Sequence, residues 1–294
     1  MNTMYKNGIL RIEVKDLYAK TIQEFMDLYF PSKKIQHLLI TNGWLKMDEM
    51  KVKRETPLDG KYLTLELYPE KNSYRKLEKD NVEILYEDEL LCVVNKPSGI
   101  IVHSDREDEV TLSTLVRSHY ASEPYLTLNP IHRLDKETSG LVFFSKSPLF
   151  QPLFDQMLLK REIKRTYLAF AKGKAEKGLK MTFDDPIGKD RHNAGKMIVY
   201  KNGQDALTKV ESLGYKNGIT TFRCTLLTGR THQIRVHLSS HHYPILNDPL
   251  YGVPDQSLDK MGLVAYELQF YHPFKEENIR VKLELEPKMK ALML

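Results

Sequence analysis

The sequence predicts an α+β protein, with a mixed, largely antiparallel sheet in a large domain and a small α/β module in front of it. Three observations carry this. Strand-like runs outnumber helical ones, and they sit at hairpin spacing rather than in βαβ alternation. A polar, charged stretch, KNSYRKLEKDN at 71–81, lies between two strand-like runs and reads as a linker. No internal repeat interrupts the pattern. Residues 1–72 are therefore expected to form the small domain, 73–81 the linker and 82–294 the large domain.

In the small module, residues 18–30 carry Ile22, Phe25, Met26 and Tyr29 at helical spacing. Pro31 breaks that helix, and Ser32 is an N-cap for a second one over 33–41, which Asn42-Gly43 ends. A short strand (WLKM) and an alternating strand (KYLTLELY) follow. Lys33 and Lys34 open the second helix, and Lys51, Lys53 and Arg54 lie near the turn. They read either as a solvated basic surface or as a phosphate-binding face.

In the large domain, VEILYED and LLCVVNKPSG read as paired strands and residues 111–119 as a helix. GLVFFS is a buried strand. Ser147-Pro148 reads as a cap and first helical position for a helix running to about residue 161. Further strands are expected over 165–171, 196–200, 206–213 and 220–227. LVAYELQF and IRVKLELE supply two more.

Composition excludes several classes. Of 294 residues, 41% are hydrophobic and 28% charged, which argues against a disordered chain. No run approaches the roughly 18 apolar residues of a membrane span. With no signal-peptide pattern at the N-terminus, a cytoplasmic protein is expected. Cys92 and Cys224 sit in apolar surroundings and read as buried hydrophobes, not a disulfide framework. The net charge of +5 permits a polyanionic partner without requiring one. P-loop, dinucleotide and nucleophile-elbow motifs are absent. His232, His237, His241 and His242 lack the further ligands of a zinc site. No cofactor and no metal are expected.

The chemistry concentrates in NPIHRLDKETSGLVFFSKS, where polar and charged residues crowd a loop before a buried strand. A carboxylate at the entry to a core is costly unless paired. Asp135 is thus either a structural ion-pair partner near Arg133 or an aspartate placed for nucleophilic or acid–base work.

The run HRLDKETSGL resembles the signature of the RluA-type pseudouridine synthases. NKPSGIIVH, KRTYLA, GRTHQIRVHL and DPLYG follow that family's order, so the resemblance covers roughly residues 80–275. The N-terminal element order resembles a small RNA-binding domain shared by a ribosomal protein and many RNA-modifying enzymes. The resemblance implies isomerisation of uridine in structured RNA, ribosomal more readily than transfer RNA, without a nucleotide cofactor; nothing in the sequence demands more than a monomer. It makes Asp135 the nucleophile or base and Tyr167 a ring that stacks on the uracil. Arg230 becomes the cation that grips Asp135. Arg133 fills the space that a flipped base leaves. His132 is structural or RNA-contacting, Lys96 and His103 lie in loops near the site as RNA-binding residues, and Arg235 and His237 flank it or contact phosphate. Thr231 is expected to cap the helix that carries them. The chain departs from the family at Asn247, where glycine is common, and at Val264, in a histidine position. Two other readings compete: a non-catalytic RNA-binding or assembly protein, and a glycosidase, which would need a second carboxylate roughly 5 to 10 Å from Asp135.

Overall fold

Asn7 and Gly8, both at positive φ (52° and 81°), turn the chain sharply between its first two strands. In the computed structural model, which describes residues 3–66, 73–78, 81–106, 109–123 and 125–293, these are β1 (Thr3–Lys6) and β2 (Ile9–Glu13). The sequence reading assigned nothing to this stretch, although Asn-Gly is a strong hairpin signal. Next come α1 (Ile22–Tyr29), α2 (Lys33–Thr41), β3 (Leu45–Met47), β4 (Met50–Lys51) and β5 (Tyr62–Glu66). They complete a five-stranded sheet in the order β1-β2-β5-β3-β4. Helix α2 has its expected bounds, and Ser32 Oγ accepts from Ile35 N–H. Helix α1 starts later than expected because Thr21 caps it by accepting from Glu24 N–H. The last two residues of the expected strand KYLTLELY lie outside the described residues.

The rest of the chain forms β6 (Glu83–Glu87), β7 (Leu91–Lys96), α3 (Leu112–His119), β8 (Asn129–Pro130), β9 (Ser139–Ser145), α4 (Gln151–Leu159) and β10 (Lys164–Lys172). Then follow β11 (Lys180–Phe183), β12 (Ile187–Lys189), β13 (Met197–Val199), β14 (Thr208–Lys216), β15 (Ile219–Leu226), α5 (Gln233–Ser240), β16 (Leu263–His272), β17 (Glu277–Lys282) and α6 (Pro287–Leu292). Ten strands share one sheet, with the path β11-β14-β15-β10-β16-β9-β7-β6, and β17 and β8 attached to β16 and β9. Among the described residues only β9 and β16 pair in parallel, so the sheet is mixed and largely antiparallel, as expected. Helix α4 begins three residues after its expected start. Ser147 caps a preceding turn, its Oγ accepting from Leu149 N–H, and Pro148 sits in that turn.

Gly140 fixes the point where the Asp135 loop enters the sheet. Its φ is +113°, and a Cβ there would lie 2.3 Å from the Ala265 carbonyl oxygen. The register then runs across the sheet, with Gly140 beside Ala265, Ala265 beside Tyr167 and Tyr167 beside Cys224. Tyr167 and the loop before Gly140 are thereby held in fixed relation by backbone pairing.

The two sheets are not separated by a free tether. One hydrophobic cluster runs from the first sheet into the second. Tyr29 stacks on Phe274 with ring centroids 4.4 Å apart, and Phe30 meets Phe150 at 5.2 Å. Within the expected linker, Tyr74 Oη donates to the Leu126 carbonyl and Leu77 N–H to Ser118 Oγ. Residues 79–80 of that stretch lie outside the described residues. Among the described residues, no helix is long and apolar enough to cross a membrane.

Candidate active site

A cavity of about 850 Å³ opens between the loop before β9, the start of β10 and the N-terminal end of α5. Asp135, Tyr167, Arg133 and Arg235 all line it. The loop that carries Asp135 is held from below. Lys96 is fully buried, and its ammonium donates to the carbonyls of Pro97 (2.9 Å), Ile100 (2.7 Å) and Lys136 (2.9 Å). Gly99 N–H and Ser98 Oγ add bonds to the Lys136 and Glu137 carbonyls. The NKPSG stretch is thus a clamp on the HRLD loop. Lys96 was expected near RNA, and this burial corrects that: all three donors are spent on backbone carbonyls. Burial pulls its pKa down to about 8, against the pull of Glu137 and Asp135.

The carboxylate of Asp135 is gripped by Arg235, Nη1 to Oδ2 at 2.9 Å. The sequence reading gave that role to Arg230. Instead, the Arg230 side chain is exposed at the rim and donates from Nε to the Asp205 carbonyl. The cause is the backbone at His232, which takes a left-handed conformation (φ +57°, ψ +19°) and serves as N-cap in place of Thr231. Helix α5 therefore starts at Gln233 and turns Arg235 inward, leaving Arg230 on the outer approach.

Arg235 is only 3% exposed and holds a second carboxylate, Asp248, through Nε (2.7 Å) and Nη2 (2.8 Å). Burial alone would lower its pKa; Asp248 and then Asp135 outweigh this and keep the guanidinium charged. Burial likewise opposes ionisation of Asp248, but the Arg235 fork and the N–H groups of Leu250 and Tyr251 hold its carboxyl below the usual range. Tyr251 closes the array. Its ring lies 5.1 Å from the Arg235 guanidinium, and its hydroxyl accepts from Met197 N–H and bonds His232 Nδ1. One buried cation between two carboxylates, bidentate on one, leaves Asp135 oriented with its other oxygen free of Arg235.

Tyr167 is 4% exposed, and burial raises its phenol pKa. At neutral pH it presents a neutral ring and an O–H group, not a phenolate base. Arg165 lines the same cavity, and its buried Nε has no hydrogen-bond partner among the described residues. His132 is buried at 6% exposure. Its Nε2 accepts from Phe143 N–H at 3.4 Å, and Nδ1 makes no hydrogen bond of good geometry. Burial, with Arg165 adding to it, pushes its pKa down to about 3, so the ring is neutral.

The remaining expected residues divide. Arg133 is exposed at the cavity rim, and His103 is half exposed there, 3.9 Å from Asp105. Lys33 and Lys34 are exposed on α2, and Lys33 pairs with Asp27 at 3.0 Å. Arg235 and His237, expected to flank the site or meet phosphate, are interior. His237 is fully buried between Thr208 Oγ1 and the Asp185 carbonyl. Asn247 resolves one departure. At φ +56° it adopts the conformation that favours glycine, and its amide bonds the carbonyls of Asp255 and Leu258. Among the described residues, no cluster of His, Cys, Asp and Glu is disposed to hold a metal. Sequence reasoning missed Arg165, Asp248 and Tyr251. The last two stand in DPLYG, where a carboxylate in a motif that also holds a tyrosine was the available signal.

Residues 90–240, which span the clamp, the Asp135 loop, β10 and α5, match the RNA pseudouridylate synthase family. The chain is 34% identical over 263 residues to the uncharacterized RNA pseudouridine synthase YhcT of Bacillus subtilis (strain 168), covering 86% of this chain and 87% of that protein. It is 35% identical over 237 residues to ribosomal large subunit pseudouridine synthase D of Nitrosomonas europaea, covering 76% and 68%. Human RNA pseudouridylate synthase domain containing 1 shares the fold, with a TM-score of 0.60 at 24% identity over 74% of this chain and 90% of that one. The chain belongs to the RluA-type RNA pseudouridine synthases, isomerases that act on RNA.

Proposed function

We propose that this protein converts particular uridines of large-subunit ribosomal RNA into pseudouridine. The observation that carries the reading is Asp135, held by Arg235 against Asp248 and sharing one cavity with Tyr167. In the reaction, the N1–C1′ bond of the target uridine breaks and the detached uracil turns. A C5–C1′ bond then forms, C5 loses its hydrogen to solvent and N1 gains one. Atoms and electrons balance within the nucleotide, so the reaction is an isomerisation. Asp135 is the nucleophile or base, and its ion pair with Arg235 fixes where the carboxylate points. Tyr167 stacks on the free uracil and keeps it from leaving while it turns. Arg133, exposed and with no carboxylate partner among the described residues, enters the space vacated when the uridine flips out.

The choice of ribosomal RNA is supported by relatives carrying the name ribosomal large subunit pseudouridine synthase, at 30–37% identity. Residues 1–72 serve as a second RNA anchor through the α2 lysines, residues 73–81 connect them, and 82–294 carry the chemistry. The protein acts as a monomer in the cytoplasm. A transcriptome-wide pseudouridine map of a deletion strain against its parent, with Asp135→Asn as complementing control, tests the reading. Ribosomal sites absent in the deletion and not restored by Asp135→Asn are expected, with turnover of the purified variant down by roughly 10³-fold or more. Sites lost only from transfer RNA would overturn the substrate assignment. Full restoration by Asp135→Asn would remove the catalytic role of that residue.

A further inference from the structure

Arg133, at the rim of the first cavity, also lines a second one of about 390 Å³, with His103, Arg117, Asn129, Pro130, Ile131 and His132. His103, His132 and Arg133 line both cavities. No carboxylate among the described residues forms an ion pair with Arg117 or Arg133; Asp105, fully exposed, lies 3.9 Å from His103.

Arg117 is not part of any motif in the sequence. It projects from the last turn of α3 and is half-buried. Its Nε donates to the Leu128 carbonyl (3.3 Å) and its Nη2 to Asn129 Oδ1 (3.1 Å), while its guanidinium lies 5.8 Å from the Tyr74 ring. These contacts fix the fork. No hydrogen bond from Nη1 is present among the described residues, so donors of a positioned guanidinium are left over. The arrangement sets two arginines and two imidazoles around a hollow that Pro130 and Ile131 also line, with no acid among the described residues in its lining. It suits a singly charged phosphate oxygen pair better than a carboxylate-free apolar ligand.

We propose that this second cavity is a phosphodiester subsite, in which Arg117 and Arg133 hold the RNA backbone next to the uridine received by the first cavity. The proposal rests on the RNA pseudouridine synthase reading. Holding the backbone beside the first cavity adds affinity to the complex in which the uridine is seated, and Arg133 lines both cavities.

The test uses the full chain and deproteinised large-subunit ribosomal RNA. Binding is followed from about 50 to 200 mM salt, alongside tritium release from carbon 5 of labelled uridine. Two variants are compared with wild type. Arg117→Gln removes the charge. Asn129→Asp keeps the acceptor for Arg117 but places a negative charge in the cavity. Both are expected to raise Kd roughly tenfold at low salt and to reduce the slope of log Kd against log salt by about one, one phosphate contact's share. The single-turnover rate at saturating enzyme should stay within a few-fold of wild type. A merely structural role for Arg117 would lower the melting temperature of Arg117→Gln without moving the salt slope of either variant, and that result overturns the proposal. The two readings fail separately. Wild-type protein that releases no tritium, with slopes still reduced in the variants, sinks the catalytic reading and leaves a backbone site. Normal tritium release with unchanged slopes sinks the subsite alone.

Discussion

The interior and the rim of the Asp135 site are built from the same residue types put to opposite use. In the interior, Arg235, which lines the cavity, and Lys96 and His237, which do not, are buried, and their polar atoms are spent on Asp135 and Asp248, on three carbonyls, and on Thr208 and Asp185. At the rim, Arg133 and Arg230 are exposed, and Arg133 faces no carboxylate among the described residues. A buried cation with all donors engaged has nothing left to offer a phosphate, and pulling it out would strand its partners. A rim cation loses little by meeting RNA and gains the release of counterions. The interior sets geometry and the rim sets affinity.

The largest test of that division is Asp248→Asn. It never faces the cavity's reactive atoms, yet it fixes Arg235 from behind. Removing one charge of a buried pair should cost about 3 kcal/mol of stability, read by urea unfolding. The single-turnover rate should fall on the order of a hundredfold as Asp135 loses its orientation, while RNA affinity stays near wild type. A drop in affinity with the rate retained would place Asp248 on the wrong side of the comparison.

A smaller effect sharpens the boundary at His132, which belongs to the interior by burial yet lines both cavities. Its pKa is pushed down from 6.5 to about 3. Below pH 6.5 the unfolded chain binds a proton there that the folded chain refuses, so stability falls as pH falls from 6.5 toward 3. Between pH 7 and pH 5 this group removes at most about 2 kcal/mol. His132→Gln should flatten that part of the unfolding free energy against pH, whatever its stability at pH 7. An unchanged acid slope would mean that the imidazole is protonated in the folded protein.

What was legible in the sequence followed how local the interaction is. Ser32 and Thr111 cap their helices through bonds three residues away, and both helices fall where residue pattern put them. Asp135 stands in a continuous run of polar residues before a buried strand, so the loop was visible as a site. The choice between Arg230 and Arg235 was not. It turns on one left-handed residue, His232, and on a contact with Asp135 that spans 100 residues of sequence. Lys96 fails for the same reason, since a lysine in a polar loop gives no sign that three carbonyls enclose it. The junction of the two sheets was hidden too. Tyr29 and Phe30 read as the inner face of a small module, and nothing near them in sequence marks Phe274 and Phe150 as their partners.

The most direct test compares Arg235→Lys with Arg230→Gln, measuring single-turnover tritium release and RNA affinity on the same substrate. The division of interior and rim predicts that Arg235→Lys, which loses the fork on Asp248, slows release on the order of a hundredfold and leaves Kd within a few-fold of wild type. Arg230→Gln keeps the rate and weakens binding by a few-fold at low salt. A slow Arg230→Gln beside a fast Arg235→Lys would contradict it, and would return the catalytic arginine to the rim.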